Sequence, residues 1–475
     1  MKILKQLLKV FIALFGLILV VLASILLIDS WNTSYLKIKN HPAAAENSYV
    51  IKNVNIIPMT SDTVLAHSSI KIVDGKIEQI GQLIDTLNSE VIDAKGAFLS
   101  PGLIDMHVHV WDKYELGLYL ANGVTTIRNM WGMPQHLRIK KEVDQDKLLS
   151  PVFLTSSPKL TGKEDLGDDK VQISTAEEAR QLVKEYKKRG YDFIKTYAGL
   201  PENIEKAIIE QSFIDNISVV SHPSREIPYL HQFHSQIKSF EHAEEIVQQA
   251  LNYHLDSLKL ETIIQKFANT QTSFCPTLIG YYKIFEMLDQ EDSIMDSEQV
   301  HYINPLIQLS DSKVQYERWA KENNNSIATS IFKQHQFHQY SIKKMAETSV
   351  NIICGTDAGI GITAPGFSLH EELALYKGAG LSTYEALKTA TINPTKTHRE
   401  LNNVGSIEQG KLANFILTSK NPLKDLSVLK NPEWIMIKGH LVTKKQSDEL
   451  KEKARDRKNL LATALRYAEY MFIER

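Results

Sequence analysis

Leu99-Ser-Pro-Gly-Leu-Ile-Asp-Met-His-Val-His-Val110 is the stretch from which the fold is read. Its pattern is that of a buried strand ending in two histidines, His107 and His109. Successive side chains of a strand point to opposite faces, so these two share one face and Val108 takes the other. Two neutral imidazoles converging at a strand end are good ligands for a divalent metal. A His-x-His pair alone is a weak signal, since a merely polar strand end has the same sequence. Its weight comes from partners elsewhere in the chain.

Downstream, from about 100 to 395, short apolar runs alternate with amphipathic helical patterns, the signature of βαβ units and a parallel sheet. The runs end at His107-Val-His109, Thr125–Arg128, Val152–Thr155, Phe193–Lys195, Ser218–His222, Ser239–His242, Phe274–Thr277 and Ile352–Asp357. Eight such strands with helices between them point to a closed (β/α)8 barrel. The interval from Thr277 to Ile352 is too long for one loop and helix, so residues 281–349 read as a helical insertion. Its histidines His301, His335 and His338 lie among Gln, Lys and Tyr, which places them on the surface.

Upstream, residues 49–100 carry a β pattern. Ser69–Val73 and Lys76–Ile80 alternate around Asp74-Gly75, a type I′ hairpin signal. This is too little chain for an independent barrel, so it reads as the first part of a small β-sandwich. Val404–Leu417 and Trp434–Val442 turn β again and supply the second part, within 399–445. Residues 31–48 read as a linker. The segment 446–475 is helix-prone, with Leu461, Leu465, Ala468 and Phe472 at helical spacing as its docking face.

The whole chain has 475 residues, 43% hydrophobic and 23% charged, with a net charge of -2. Those values fit a globular body and give no electrostatic footprint for nucleic acid. The two cysteines, Cys275 and Cys354, sit in apolar runs and read as buried thiols, not a disulfide framework. Lys2, Lys5 and Lys9 precede an uncharged run from Val10 to Ile28. At about 1.5 Å per residue that run matches a bilayer core. The lysines predict a cytoplasmic terminus, with the body periplasmic or extracellular. Residues 1–30 are therefore expected to be a retained membrane anchor. Secretion after signal cleavage is the alternative, although no small-x-small site follows the run.

The strand list puts specific side chains at one end of the barrel 101–398: His107 and His109 on the first strand, Lys195 on the fourth, His222 on the fifth, His242 on the sixth and Asp357 on the eighth. Carboxyl ends of barrel strands carry chemistry. Taken singly, each has a structural explanation as a core histidine, a snorkelling lysine or a helix cap. Six on the right strands together are much harder to explain that way.

With these residues the chain resembles the amidohydrolase superfamily, and within it the imidazolonepropionase-like and prolidase-like metal-dependent amidohydrolases. The resemblance spans roughly 49 to 442. It is carried by Pro101–His109, Gly123–Arg128, Cys354–Gly359, Ala390–Pro394 and Gly405–Ala413. It implies an α/β fold: a (β/α)8 TIM barrel with a flanking sandwich built from both ends. It also implies a site for two divalent metal ions, usually Zn2+. His107 and His109 would hold the more buried ion, and His222 and His242 the more exposed one. Lys195 would bridge them as a CO2-derived carbamate. Asp357 would bind the buried ion and act as proton acceptor, and Tyr197 would help hold the substrate carbonyl. The implied reaction is cleavage of a C–N bond by attack of a metal-bridging hydroxide. The implied partner is a small-molecule substrate, peptide-like or an N-acyl amino acid, and the oligomeric state, homo-oligomer included, stays open.

Arg225 and His136 are weaker candidates for a substrate carboxylate or leaving group. Asn129 stands where the family usually has Asp, so no ion pair is expected there. Three other readings stay open: a lactone, ester or phosphoester hydrolase using the same site, a mononuclear deaminase-like site with unmodified Lys195, and a non-catalytic membrane-tethered binding protein.

Overall fold

Every residue from Leu103 to Val108 is buried in a computed structural model of the chain, which describes residues 2–38, 48–163, 167 and 169–474. The chain begins with helix α1 (Lys2–Asn32). Strands β1 (Ser48–Ile56), β2 (Leu65–Val73), β3 (Lys76–Gly81), β4 (Glu90–Asp93) and β5 (Phe98–Pro101) follow. The barrel strands are β6 (Leu103–Val108), β7 (Val124–Asn129), β8 (Val152–Thr161), β10 (Phe193–Thr196), β11 (Ser218–Ser221), β12 (Ile237–Glu241) and β13 (Ser273–Cys275), with a short β9 (Lys170–Gln172) beside β8. After them come β14 (Phe415–Thr418), β15 (Trp434–Ile437) and β16 (His440–Thr443).

The seven barrel strands pair in parallel in the order β13-β12-β11-β10-β8-β7-β6. The expected eighth strand is present as two parallel bridges, Phe274 to Ile352 and Val108 to Ala358, and not as a ladder. Backbone bonds from Ile353 N to Phe274 O (2.9 Å), Met106 N to Cys354 O (2.8 Å) and Asp357 N to His107 O (2.8 Å) nevertheless close the ring. Asp357 has a φ of +59°, and Gly359 crosses the first strand so tightly that a Cβ there would lie 1.9 Å from His109 O. A strand that must turn its ligand inward at such a crossing cannot keep regular ladder geometry.

The flanking strands join in one eight-stranded, largely antiparallel sheet, β16-β15-β14-β5-β1-β2-β3, with β4 beside β1. Its N- and C-terminal contributions meet where β5 pairs with β14. The hairpin at Asp74-Gly75 forms with both residues at positive φ, as type I′ requires. The β pattern of Trp434–Val442 is present as a hairpin of two strands, turned at Lys438-Gly439 by two positive φ values. One β reading is corrected. Of Val404–Leu417, only the last three residues join a strand.

Residues 278–346 are mostly helical, with the long helices Leu278–Gln290 and Asn325–Ala346 packed on each other. Of the three histidines expected at the surface, His301 is exposed. His335 and His338 are buried, because they lie on the inner face of that pair, against Tyr282 and Tyr281. Both cysteines are free and buried. Of the expected linker, residues 39–47 lie outside the described residues. Residues 33–38 are fastened down: Leu36 is buried and Lys37 bridges Leu148.

The C-terminal segment is two helices, Lys444–Arg455 and Leu460–Glu474. The expected docking face of the second is overturned. Leu461, Ala468 and Phe472 are exposed, while Ala462, Thr463 and Tyr470 are buried. The aromatic residues win because Tyr467 and Tyr470 meet the Trp111–Trp131 pair.

The helix Glu202–Ile214 carries one buried acid outside any site. Glu205 sits with its Oε1 unpartnered among the described residues, and burial, reinforced by Glu202, pushes its pKa up to about 7. The folded state therefore holds a proton that the unfolded chain gives up above about pH 4.5. This contribution to stability is complete at low pH and is lost as pH rises through 7. Glu205→Gln is expected to match wild type near pH 4.5 and to exceed it by about 2–3 kcal/mol at pH 8. Denaturation midpoints at the two pH values check this.

Candidate active site and metal centre

The six candidate side chains are delivered by the ends of five elements of the barrel. His107 is the last residue but one of β6 and His109 directly follows the strand, Lys195 is on β10, His222 follows β11, His242 follows β12, and Asp357 lies on the closing segment. His242 has a φ of +72°, as unusual as that of Asp357. Such backbone is costly for residues other than glycine and recurs where a side chain must be aimed. At His242 it places two consecutive residues, Glu241 and His242, against the same histidine.

His107 Nδ1 donates to Glu241 Oε2 at 2.7 Å. Its Nε2 then presents a lone pair 3.2 Å from Asp357 Oδ1, the same oxygen that lies 2.8 Å from His109 Nε2. Two imidazole nitrogens and a carboxylate oxygen attract one another only through a proton or a cation shared among them, and these atoms lie within 4.8 Å of one another. The other histidines continue the cluster, with ring centroids 4.7 Å apart for His107–His242 and for His222–His242. His222 Nε2 contacts Glu245 at 3.1 Å, and His242 Nδ1 contacts Thr277 Oγ1 at 2.9 Å. Among the described residues, His109 Nδ1, His222 Nδ1 and Lys195 Nζ are buried without a hydrogen-bond partner.

The electrostatics follow from burial and neighbours. Burial opposes ionisation of Asp357, but His107 and His109 hold its carboxyl well below the usual carboxylate range. Burial and the neighbouring His107 and His222 keep His242 neutral, far below the ordinary histidine value. Burial opposes a charge on His107 too, yet Asp357 and Glu241 raise its pKa. Lys195 is lowered to about 8 by burial. An ammonium without an acceptor is expensive in such a place. The set of four neutral-capable imidazoles, one carboxylate and one orphaned buried amine fits a divalent metal centre.

Tyr197 stands at the mouth. Its ring stacks on His222 at 4.4 Å, and Lys159 Nζ lies 5.4 Å from the ring centre. A cavity of about 420 Å³ opens there, lined by Trp111, Trp131, Lys159, Tyr197, Ile307 and Tyr467 among others. Two weaker candidates are not in it. His136 is buried with Nε2 donating to Val110 O at 2.8 Å, and its Nδ1 accepts from Met133 N, so it braces the loop after β7. Arg225 is drawn away by Glu245, 2.7 Å from its Nη2, and acts on His222 through that carboxylate. Asn129 makes no ion pair; its Oδ1 accepts from Val110 N, and its amide donates to Trp131 O.

Three buried groups have no counterpart among the residues selected from the sequence. Glu241 holds His107 and is itself held by Arg128 Nη2 at 2.9 Å; burial raises its pKa, but Arg128 and His107 together bring it far down. Arg128 is fully buried and also donates to Met106 O and Ser239 Oγ. Asp105 accepts from the backbone N–H groups of His107 and Thr356, fastening the first strand to the closing segment. Asp105 and Arg128 lie inside the quoted motifs and Glu241 stands beside His242, but only their contacts reveal what they hold.

A model of the Amidohydrolase family matches residues 98–442. A dihydroorotase of Bacillus pumilus is 48% identical over 63 residues, 13% of this chain and 14% of that protein. An imidazolonepropionase of Idiomarina loihiensis is 31% identical over 112 residues, 21% of this chain and 28% of that protein. The chain thus spans well under a third of the length of these curated relatives. Among solved structures, a bottromycin amidohydrolase superposes with a TM-score of 0.72 at 19% identity, covering 91% of this chain and 97% of the other.

Proposed function

The chain belongs to the amidohydrolase family, and from that premise we propose that it is a metal-dependent hydrolase of a C–N bond in a small peptide-like or N-acyl amino-acid substrate. The observation that carries the reading is the convergence of His107, His109 and Asp357 within 4.8 Å, with the orphaned amine of Lys195 buried nearby. His107, His109 and Asp357 would hold one divalent ion, His222 and His242 a second, and Lys195, carboxylated by CO2 on its neutral amine, would reach both. When bound, such a pair, zinc by preference, makes water a nucleophile near neutral pH and polarises the scissile carbonyl.

The remaining steps belong to the chain. Asp357, kept ionised by His107 and His109, takes the proton from the attacking water and returns it to the leaving nitrogen. Glu241 fixes the His107 tautomer so that Nε2 faces the site. Glu245 and Thr277 orient His222 and His242 in the same way. The Tyr197 phenol sits at the mouth, where it can donate to the substrate carbonyl.

Helix α1 is long and apolar enough to cross a membrane, and its length and composition also suit a signal sequence. We read it as a retained anchor with the barrel outside the cytoplasm. Asp29, near its end, is buried in an ion pair with Arg466 of the body, a contact a cleaved segment would not keep.

The test is turnover of a dipeptide and N-acyl amino-acid library by the full chain in detergent, supplied with zinc and bicarbonate. Dialysis against a chelator is expected to abolish the activity, and zinc with bicarbonate to restore it. Turnover that survives complete removal of metal would sink the reading.

A further inference from the structure

Consecutive residues of the helix Leu460–Glu474 face two different ways. Arg466 pairs with Asp29 of α1. Tyr467 lines the cavity beside the histidine cluster and packs on Trp111 and Trp131, with ring centroids 6.3 and 5.9 Å away. One wall of the cavity is therefore fastened to the foot of the apolar helix. Leu461 and Phe472 on the same helix, Leu309, and Trp31 on α1 are exposed apolar side chains. Trp at such a position suits a membrane interface.

Inside, the cavity has two characters. Trp111, Trp131, Ile307, Ile360 and Tyr467 give it an aromatic and aliphatic side. Lys159, nearly fully buried, brings a cation to the other side, paired with Asp169 at 2.6 Å and lying 4.5 Å from the Trp131 ring centre. The Trp131 indole N–H is buried there with no hydrogen-bond partner among the described residues. An ammonium and an unpaired N–H beside an apolar wall are what a molecule with one anionic end and one large apolar group would engage.

We infer that the site takes an amphiphilic amide, an N-acyl amino acid with a long apolar acyl chain. The chain lies against the Trp111–Trp131–Tyr467 wall, and the carboxylate faces Lys159 and the Trp131 N–H. The substrate is drawn from the membrane surface at the foot of α1. This rests on the C–N hydrolase reading and on α1 as an anchor.

The experiment uses the full chain and a series of N-acyl alanines from acetyl to palmitoyl, each also as its primary amide. Binding is measured by calorimetry on Asp357→Asn, and turnover on wild type. Affinity is expected to rise at least tenfold from acetyl to dodecanoyl, and the free acid to bind at least tenfold tighter than its amide. Tyr467→Ala is expected to flatten the chain-length gradient at least fivefold, with Tyr467→Phe retaining it. Lys159→Met is expected to erase the preference for acid over amide. Affinity independent of chain length, or equal for acid and amide, overturns the inference. For the source, palmitoyl substrate placed in the vesicles that carry the protein should turn over at least fivefold faster than the same substrate in separate vesicles; equal rates overturn delivery from the membrane. The two readings fail separately. A binding gradient without any turnover removes the hydrolase reading and leaves this one, whereas acetyl substrates cleaved as efficiently as long-chain ones do the reverse.

Discussion

Asp357→Asn is expected to lower kcat by about 10²–10⁴-fold, the range for a residue that moves a proton in the transition state. Its Oδ1 meets both His107 Nε2 and His109 Nε2, so in the proposed site the side chain would be both a metal ligand and the nearest base. Asparagine keeps the shape and one ligating oxygen but cannot take a proton. Metal content is therefore expected to fall by much less than turnover, and KM to change little. A merely structural role would reduce the folded fraction and leave the kcat of the folded protein alone. The decisive comparison is kcat per bound metal, and an unchanged value would falsify the role of Asp357 as proton acceptor.

Lys195→Ala has the second largest expected effect. In the proposed site this residue contributes a bridging ligand, and charge stabilisation by a two-ion centre is worth several kcal/mol. At about 1.4 kcal/mol per factor of ten, losing it costs turnover at least about a hundredfold. Metal analysis is expected to give at most one tightly held ion per chain, against two in wild type. Formate or acetate, able to enter the space left by the side chain, is expected to restore part of the rate. Mass spectrometry of wild type crystallised or frozen with bicarbonate is expected to show one added CO2 on the peptide carrying Lys195. The alanine variant also removes a buried amine that lacks a hydrogen bond among the described residues, so its melting temperature without metal is expected not to fall. Full activity with two ions bound in Lys195→Ala would remove the bridge from the proposal.

The part of the site legible in sequence was the part fixed by strand periodicity. His107 and His109 share a face because strand side chains alternate, and the carboxyl ends of successive barrel strands face one pocket whatever their neighbours. Lys195, His222, His242 and Asp357 could be placed by that rule alone. Glu241 could not, because alternation sends it away from His242; only the positive φ at His242 brings both to His107. Arg128, inside a recognisable motif, gave no sign that it is buried and shared among Met106, Ser239 and Glu241. Helical spacing misjudged the last helix because an apolar stripe says which face is greasy, not which partner arrives. Two tyrosines met a tryptophan pair from the barrel, and the stripe stayed outside.

The sequence by itself determined the barrel, the sheet built from both chain ends, the apolar leading helix and the strand ends from which the histidines, lysine and aspartate come. These depend on local periodicity, turn chemistry and segment length, each written in adjacent residues. Tertiary structure alone decided which nitrogen of each histidine faces the site, which carboxylates hold them, and that the C-terminal helix supplies a cavity wall tied to α1. Those outcomes depend on contacts between residues hundreds of positions apart, such as His107 with Asp357 or Asp29 with Arg466, and such pairings are settled by packing rather than by pattern.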